Sequence, residues 1–354
     1  MEKKNQRYAL SCVLLAGASL AAMGLLTWYG FLAQPDRGPA PYALAPGAHA
    51  SEKEPITLIA VGDIMLSRTV EKKMLQYGDW AYPFRETHIL TESGDITFGN
   101  LECPLIEGSP VNPYEMSFRA DPQSVEGLTL GGFDVVSLAN NHVGNQGRPG
   151  IARTLEVLDA AGIAHAGAGL NAGEAALPAI VEASGYTVGY LAYTDGSFTS
   201  AGDRASEERA GVAFFDEDSL ARDVAGLSAA VDIVVVSLHA GVEYEDTPRE
   251  YQQDLARTAI DSGARVVIGH HPHVVQPIEE YGNGLILYSL GNFVFDQMWS
   301  DETTEGAVAS VTLSEGGVLE YSITPVRIRD YAQPQVLSPE DGQHIIERMI
   351  NFTF

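Results

Sequence analysis

"VVIGHHPHVVQ" occupies Val266–Gln276 and places three of the chain's nine histidines, His270, His271 and His273, at the end of one apolar run. Val266, Val267 and Ile268 read as a buried strand, and Gly269 as the point where it breaks into a loop. Open α/β sheets carry their ligand crevices just past the carboxyl ends of strands. The stretch alone leaves two readings: a polar loop with solvated rings, or part of a metal site completed by donors from other loops. Along an extended backbone alternate side chains face opposite sides, which turns His270 away from His271.

Working outward, the chain from Ile56 onward alternates short apolar runs with amphipathic stretches. Strands are expected at 56–62, 95–100, 134–140, 186–194, 232–239, 265–270 and 284–292, and helices around 67–77, 149–161, 217–229 and 248–262. Pro149 and Pro248 suit first helical turns, and Gly162 and Gly263 suit left-handed caps. The alternation predicts a layered α/β domain. Residues 306–329 instead read as an antiparallel hairpin at a sheet edge, turning at Glu315-Gly316-Gly317.

Strand after strand ends in ligand-type side chains. "VGDIM" ends the first at Asp63, and "GNLECPL" offers Asn100 and Glu102. "SLANNHVGNQG" supplies Asn140, Asn141 and His142; "SLHAGVEY" supplies His239 and Glu243; "YSLGNFVF" supplies Asn292. Any one of these is weak, since Asn beside Gly is usually turn chemistry and a lone His usually a hydrogen-bonded one. Six groups, all at strand ends that converge in a parallel-rich sheet, point to one shared crevice. Carboxylate, amide and imidazole donors favour Mn, Fe or Zn, and the set is large enough for two divalent ions with a bridging carboxylate. There is no G-x-S-x-G elbow, no P-loop and no dinucleotide fingerprint.

The 354 residues carry 47 acidic and 21 basic side chains, a net charge of -26 that disfavours nonspecific nucleic-acid binding. Residues 1–7 hold Lys3, Lys4 and Arg7, and residues 8–32 hold no charge. At 1.5 Å per residue that run exceeds a hydrocarbon core of about 30 Å. The basic flank predicts a single-pass membrane anchor at 8–32 with residues 1–7 cytoplasmic and the main domain extracellular. A cleaved signal peptide is the competing reading, but the small-residue "AHA" at 48–50 lies too far beyond the apolar run. Residues 33–55 are a Pro/Ala/Gly-rich linker, 56–330 the main domain and 331–354 a C-terminal extension. Of the two cysteines Cys12 falls in the anchor, so Cys103 has no partner for an internal disulfide.

Taken together and in order, the six motifs resemble the CapA-type poly-γ-glutamate capsule synthesis proteins over roughly 56–297. The resemblance implies an αββα metallophosphoesterase-like sandwich, similar to the calcineurin-like fold, with a two-metal site. It makes Asp63, Glu102, Asn141, His239, His271 and His273 metal ligands, Glu102 the bridging carboxylate and His142 the catalytic acid or orienter. Asn100, Glu243, His270 and Asn292 become supporting or substrate-contacting residues. Phosphoesterases carry a histidine two residues after the first aspartate, and here that position is Met65, a poor ligand for such ions. The implied role is synthesis, transport or attachment of poly-γ-glutamate, with the membrane, the anionic polymer and other capsule synthesis subunits as partners. The alternatives are an extracellular metal-dependent phosphoesterase and a non-catalytic partner of the polymer synthase.

Overall fold

The computed structural model describes residues 53–354. The expected cytoplasmic tail, anchor and most of the linker lie outside the described residues. Among the described residues no helix is long and apolar enough to cross a membrane.

Among the described residues sixteen strands follow in chain order: β1 (Ile56–Ile64), β2 (Ile96–Leu101), β3 (Val135–Ser137), β4 (Ala164–Ala166), β5 (Ala168–Gly169), β6 (Ala179–Ala183), β7 (Tyr186–Thr194) and β8 (Gly211–Val212) in the first part; then β9 (Ile233–His239), β10 (Val266–His270), β11 (Ile278–Tyr281), β12 (Gly284–Leu287), β13 (Asn292–Val294), β14 (Glu305–Ser314), β15 (Gly317–Arg329) and β16 (Gln333–Val336). The longer helices are α1 (Arg68–Tyr77), α2 (Gly147–Ala161), α3 (Glu217–Ser228), α4 (Glu250–Asp261) and α5 (Pro339–Ile350). α1 and α2 stop at Gly78 and Gly162, whose φ of 62° and 73° are the left-handed caps that glycine adopts without strain.

Two sheets result. One runs β16-β15-β14-β1-β2-β3-β4 with β13 also on β1; the other runs β11-β12-β10-β9-β7-β6. β1 to β4 are parallel to one another, as are β7, β9, β10 and β12. Alternation along β1 explains the layering: Leu58 and Ala60 face the other sheet, while Ile59 and Val61 face the helices. The inter-sheet core joins Leu58, Phe98 and Val135 to Tyr190, Val235 and Ile268, with Phe98 and Tyr190 stacked at 5.6 Å. Val70 and Met74 of α1 and Ile151 and Leu158 of α2 cover the outer face of the first sheet. Leu220 and Val224 of α3 and Ala256 and Ile260 of α4 cover the second. The order of layers is helix, sheet, sheet, helix, a mixed α/β sandwich.

The C-terminal hairpin forms as β14 and β15, but it does not lie at the edge. β16 adds outside β15, and α5 packs Ile345 and Met349 into the inter-sheet core. Pro149 lies inside the first turn of α2, whereas Pro248 precedes Arg249, the N-cap of α4. Two glycines make room for the segment that runs from β12 to β13: a Cβ on Gly62 would meet Gly291 O at 2.0 Å, and one on Gly269 would meet Tyr288 O at 2.0 Å. Each directly precedes a polar residue at a strand end, Asp63 and His270.

Candidate metal centre

Parallel register places the polar residues side by side. Asp63 on β1 is opposite Asn100 on β2 and Asn292 on β13, and His239 on β9 is opposite His270 on β10. Glu102, Asn141 and His142 follow the ends of β2 and β3, and His271 and His273 follow β10. Asp63, Asn100, Glu102, His239, His270, His271, His273 and Asn292 are all buried.

Asp63 is the hub. Asn100 Nδ2 donates to its Oδ1 at 2.9 Å, and His270 Nδ1 lies 3.0 Å from the same oxygen. The His271 backbone N–H donates to Oδ2 at 3.3 Å, and His273 Nδ1 is 3.2 Å from it. Burial pushes the Asp63 carboxyl up, but the hydrogen bonds from His270 and His273 overcome this and hold it well below the usual carboxylate range. Glu102 is the opposite case. Burial, then the Asp63 and Glu243 carboxylates, push its carboxyl well above that range.

Three of the imidazoles, His239, His271 and His142, are held neutral near pH 7. Burial and the neighbouring His271 hold His239 well below its usual value, and burial with His273 lowers His271 to about 3. His239 Nε2 approaches Asn141 Oδ1 at 3.0 Å. The network also assigns two tautomers. Asn292 Nδ2 donates to Gln297 Oε1 and Thr303 O, so its Oδ1, 3.0 Å from His273 Nδ1, is an acceptor. His273 therefore carries a hydrogen on Nδ1, which leaves Nε2 as its one ring nitrogen that could bind a cation. Asn145 Oδ1 accepts from Phe118 N–H at 2.6 Å and lies 3.0 Å from His142 Nδ1, so Nδ1 of His142 is protonated too. Burial lowers His142 to about 4, leaving Nε2 free as a base near neutral pH.

This donor set suits divalent cations. Two trios bring one ligand atom per residue within 4.8 Å of one another: Asp63, Glu102 and His239, and Glu243, His271 and His273. Among the described residues, Glu102 Oε1 and His271 Nδ1 are buried without a hydrogen-bond partner. Glu102 Oε1 lies 3.8 Å from His273 Nε2 and 3.9 Å from His239 Nε2. Burial keeps His239 neutral, so its approach is not an ion pair. A buried carboxyl oxygen without a partner is costly, and a divalent ion would relieve that cost.

The sequence profile described as "Bacterial capsule synthesis protein PGA_cap" matches residues 57–297. The chain belongs to this capsule synthesis family. Among its relatives, the capsule biosynthesis protein CapA of Bacillus anthracis is 32% identical over 99% of this chain and 84% of its own length. The PGA biosynthesis protein CapA of Bacillus subtilis (strain 168) is 34% identical over 76% and 71%. A hypothetical protein from Thermus thermophilus superposes with a TM-score of 0.50 at 16% identity, covering 77% of this chain and 100% of that one, which shows a shared fold. The calcineurin-like phosphoesterase YfkN of Bacillus subtilis aligns at a TM-score of 0.49 and 15% identity, over 83% and 98%.

In this capsule synthesis protein the structure draws Asp63, Glu102, Asn141, His239, His271 and His273 together, with Asn100, His270 and Asn292 packed among them. Alternation misplaces His270. His271 has a φ of 98° and His273 of 57°, so the chain is not extended past β10, and His270 swings onto Asp63. Met65 is buried in the hydrophobic core, its Sδ 3.1 Å from Ser67 N. Three side chains escape a motif reading. Arg68 is buried against Asp296 and lies 4.6 Å from the Phe118 ring, which stacks on His142 at 3.9 Å. Phe198 stacks on His271 at 3.7 Å from the loop after β7. None of these stands at a strand end, and Arg68 finds Asp296 only in the folded chain.

Proposed function

We propose that this chain acts in the biosynthesis of a poly-γ-glutamate capsule, as a membrane-anchored protein whose main domain faces outward and holds a dinuclear metal centre. Family membership and the names of the two Bacillus relatives support the capsule role. Glu102, buried between Asp63 and His239 with its Oε1 left without a hydrogen-bond partner, is the observation that carries the metal reading. Asp63, Glu102, Asn141, His239, His271 and His273 would hold the ions, and divalent ions there supply Lewis acidity toward a substrate oxygen. The chain's own groups do the rest. Asn100 and His270 fix the Asp63 carboxylate, Asn292 fixes the His273 ring, and His142 Nε2 is placed to take a proton.

An acidic domain repels a polyanion over most of its surface, so a cation-bearing crevice is where polymer carboxylates would meet it. The test replaces His271 and His273 together with Ala and measures bound metal in the purified chain and capsule polymer in the producing cell. Both should fall while the protein still accumulates. Wild-type metal and wild-type polymer in this variant would refute the reading.

A further inference from the structure

Glu243 stands on the loop after β9, between Gly241 at φ 120° and Tyr244 at φ 66°. That turn, tied by Tyr244 N–H donating to Pro272 O at 2.8 Å, keeps the loop against the His271–His273 segment. A carboxylate oxygen of Glu243 and one ring nitrogen from each histidine lie within 4.8 Å of one another. His271 is only 3% exposed, yet its Nδ1 has no hydrogen-bond partner among the described residues. A buried nitrogen left in that state costs free energy that a cation would recover. The stacked Phe198 ring holds the imidazole in place.

The inner trio of Asp63, Glu102 and His239 is fully buried, while Glu243 is half-buried and reaches solvent. The two trios share no residue. His273 offers only Nε2, since Nδ1 carries the hydrogen directed at Asn292, and one lone pair serves one ion at a time.

We propose that Glu243, His271 and His273 form an outer divalent-cation position that exchanges with solvent, while Asp63, Glu102 and His239 hold an inner ion that does not. This rests on the metal-centre reading above and adds to it a ligand, Glu243, and a division of labour. Two imidazoles and one carboxylate suit zinc, and three protein donors leave room for an oxygen of a carboxylate-bearing chain.

The full-length chain is stripped with a strong chelator and reloaded with zinc alone. Bound zinc is then counted before and after dialysis against a weak chelator, and both affinities are measured by calorimetry. Wild type should bind two ions and lose one on dialysis. Glu243→Gln should keep the retained ion and weaken the other at least tenfold, and Glu243→Asp should recover part of that loss. Thermal unfolding of the variants shows whether they are folded, and the Asp variant serves if the Gln variant is not. Two ions bound by Glu243→Gln as tightly as by wild type would overturn the outer position. So would loss of both ions from a folded Glu243→Gln. Wild type that binds no zinc would instead refute the metal centre itself.

Discussion

Replacing Glu102 with Gln should make the metal-free protein more stable and the metal-loaded protein less stable. The side chain is 0% exposed, its Oε1 is unpartnered among the described residues, and its nearest imidazole nitrogens are 3.8 and 3.9 Å away. Gln keeps the shape and removes the charge. An unsatisfied buried polar group costs about 1–3 kcal/mol, and more when charged. The metal-free variant should therefore unfold several degrees higher, at roughly 2–4 °C per kcal/mol. Metal at 100 times its Kd would add about 2.7 kcal/mol to wild type, and little to a variant that has lost an anionic donor. Thermal unfolding of the full chain, with chelator and then with zinc, should show the two proteins exchange rank.

The pH dependence follows from the same carboxyl. Folded Glu102 holds its proton more tightly than the unfolded chain does, so metal-free wild type loses stability as pH rises above the ordinary value of 4.5. Glu102→Gln should lack that slope. Asp63 acts in the other direction, contributing stability that is present above 3.8 and lost as pH falls below it. A Gln variant less stable than wild type in chelator, yet still gaining the full metal shift, would refute the reasoning.

His270→Ala should weaken metal binding about 10–100-fold, the usual effect of losing a partner that orients a ligand, because it strips Nδ1 from Asp63; unchanged affinity by calorimetry would return His270 to a passive role. Asp296→Ala leaves the Arg68 guanidinium buried without its anion, and urea titration should show a loss of about 3–5 kcal/mol. External protease should release a soluble domain from intact cells while residues 8–32 stay with the membrane; a mature form beginning near Ser51 in the culture medium would contradict the anchor.

Much of the architecture is legible in the sequence because it rests on local rules. Runs such as 186–194 and 232–239 are mostly apolar, as strands buried on both faces tend to be, and the structure places β7 and β9 there. Polar residues at strand ends stand out against such runs, so the convergence of Asp63, Glu102, His239 and the histidine cluster can be read from position alone. Short and edge elements are less visible. β6 alternates exposed residues with half-buried ones after a buried Ala179, and β16, "QPQV", has no strand-like composition; each is held by its neighbour, β7 or β15. Arg68 and Phe198 take their meaning from partners far along the chain. His270 defeats the alternation rule because the extended backbone ends with it.

The same segment carries part of the backbone strain around the crevice. Seven non-glycine residues among those described have positive φ. Ser184, Asp330 and Tyr331 lie in the tight β6–β7 and β15–β16 turns, where such angles serve chain reversal. The other four, Arg68, Tyr244, His271 and His273, come from three separate segments and border one crevice. Each costs of order 1–3 kcal/mol and persists only where its surroundings over-determine it. Here those surroundings are specific: Asp296 against Arg68, Pro272 O against the Tyr244 N–H, Asp63 against the His271 N–H, and Asn292 against the His273 ring. Three of these four contacts involve Asp63 or the His271–His273 segment and its partners, so the strain is concentrated where the proposed ligands must point inward. A fold that needed only stability could place glycine at these positions. Histidine at His271 and His273 accepts the strain and in return directs imidazole nitrogens into a buried, carboxyl-lined space, as the proposed cation site requires.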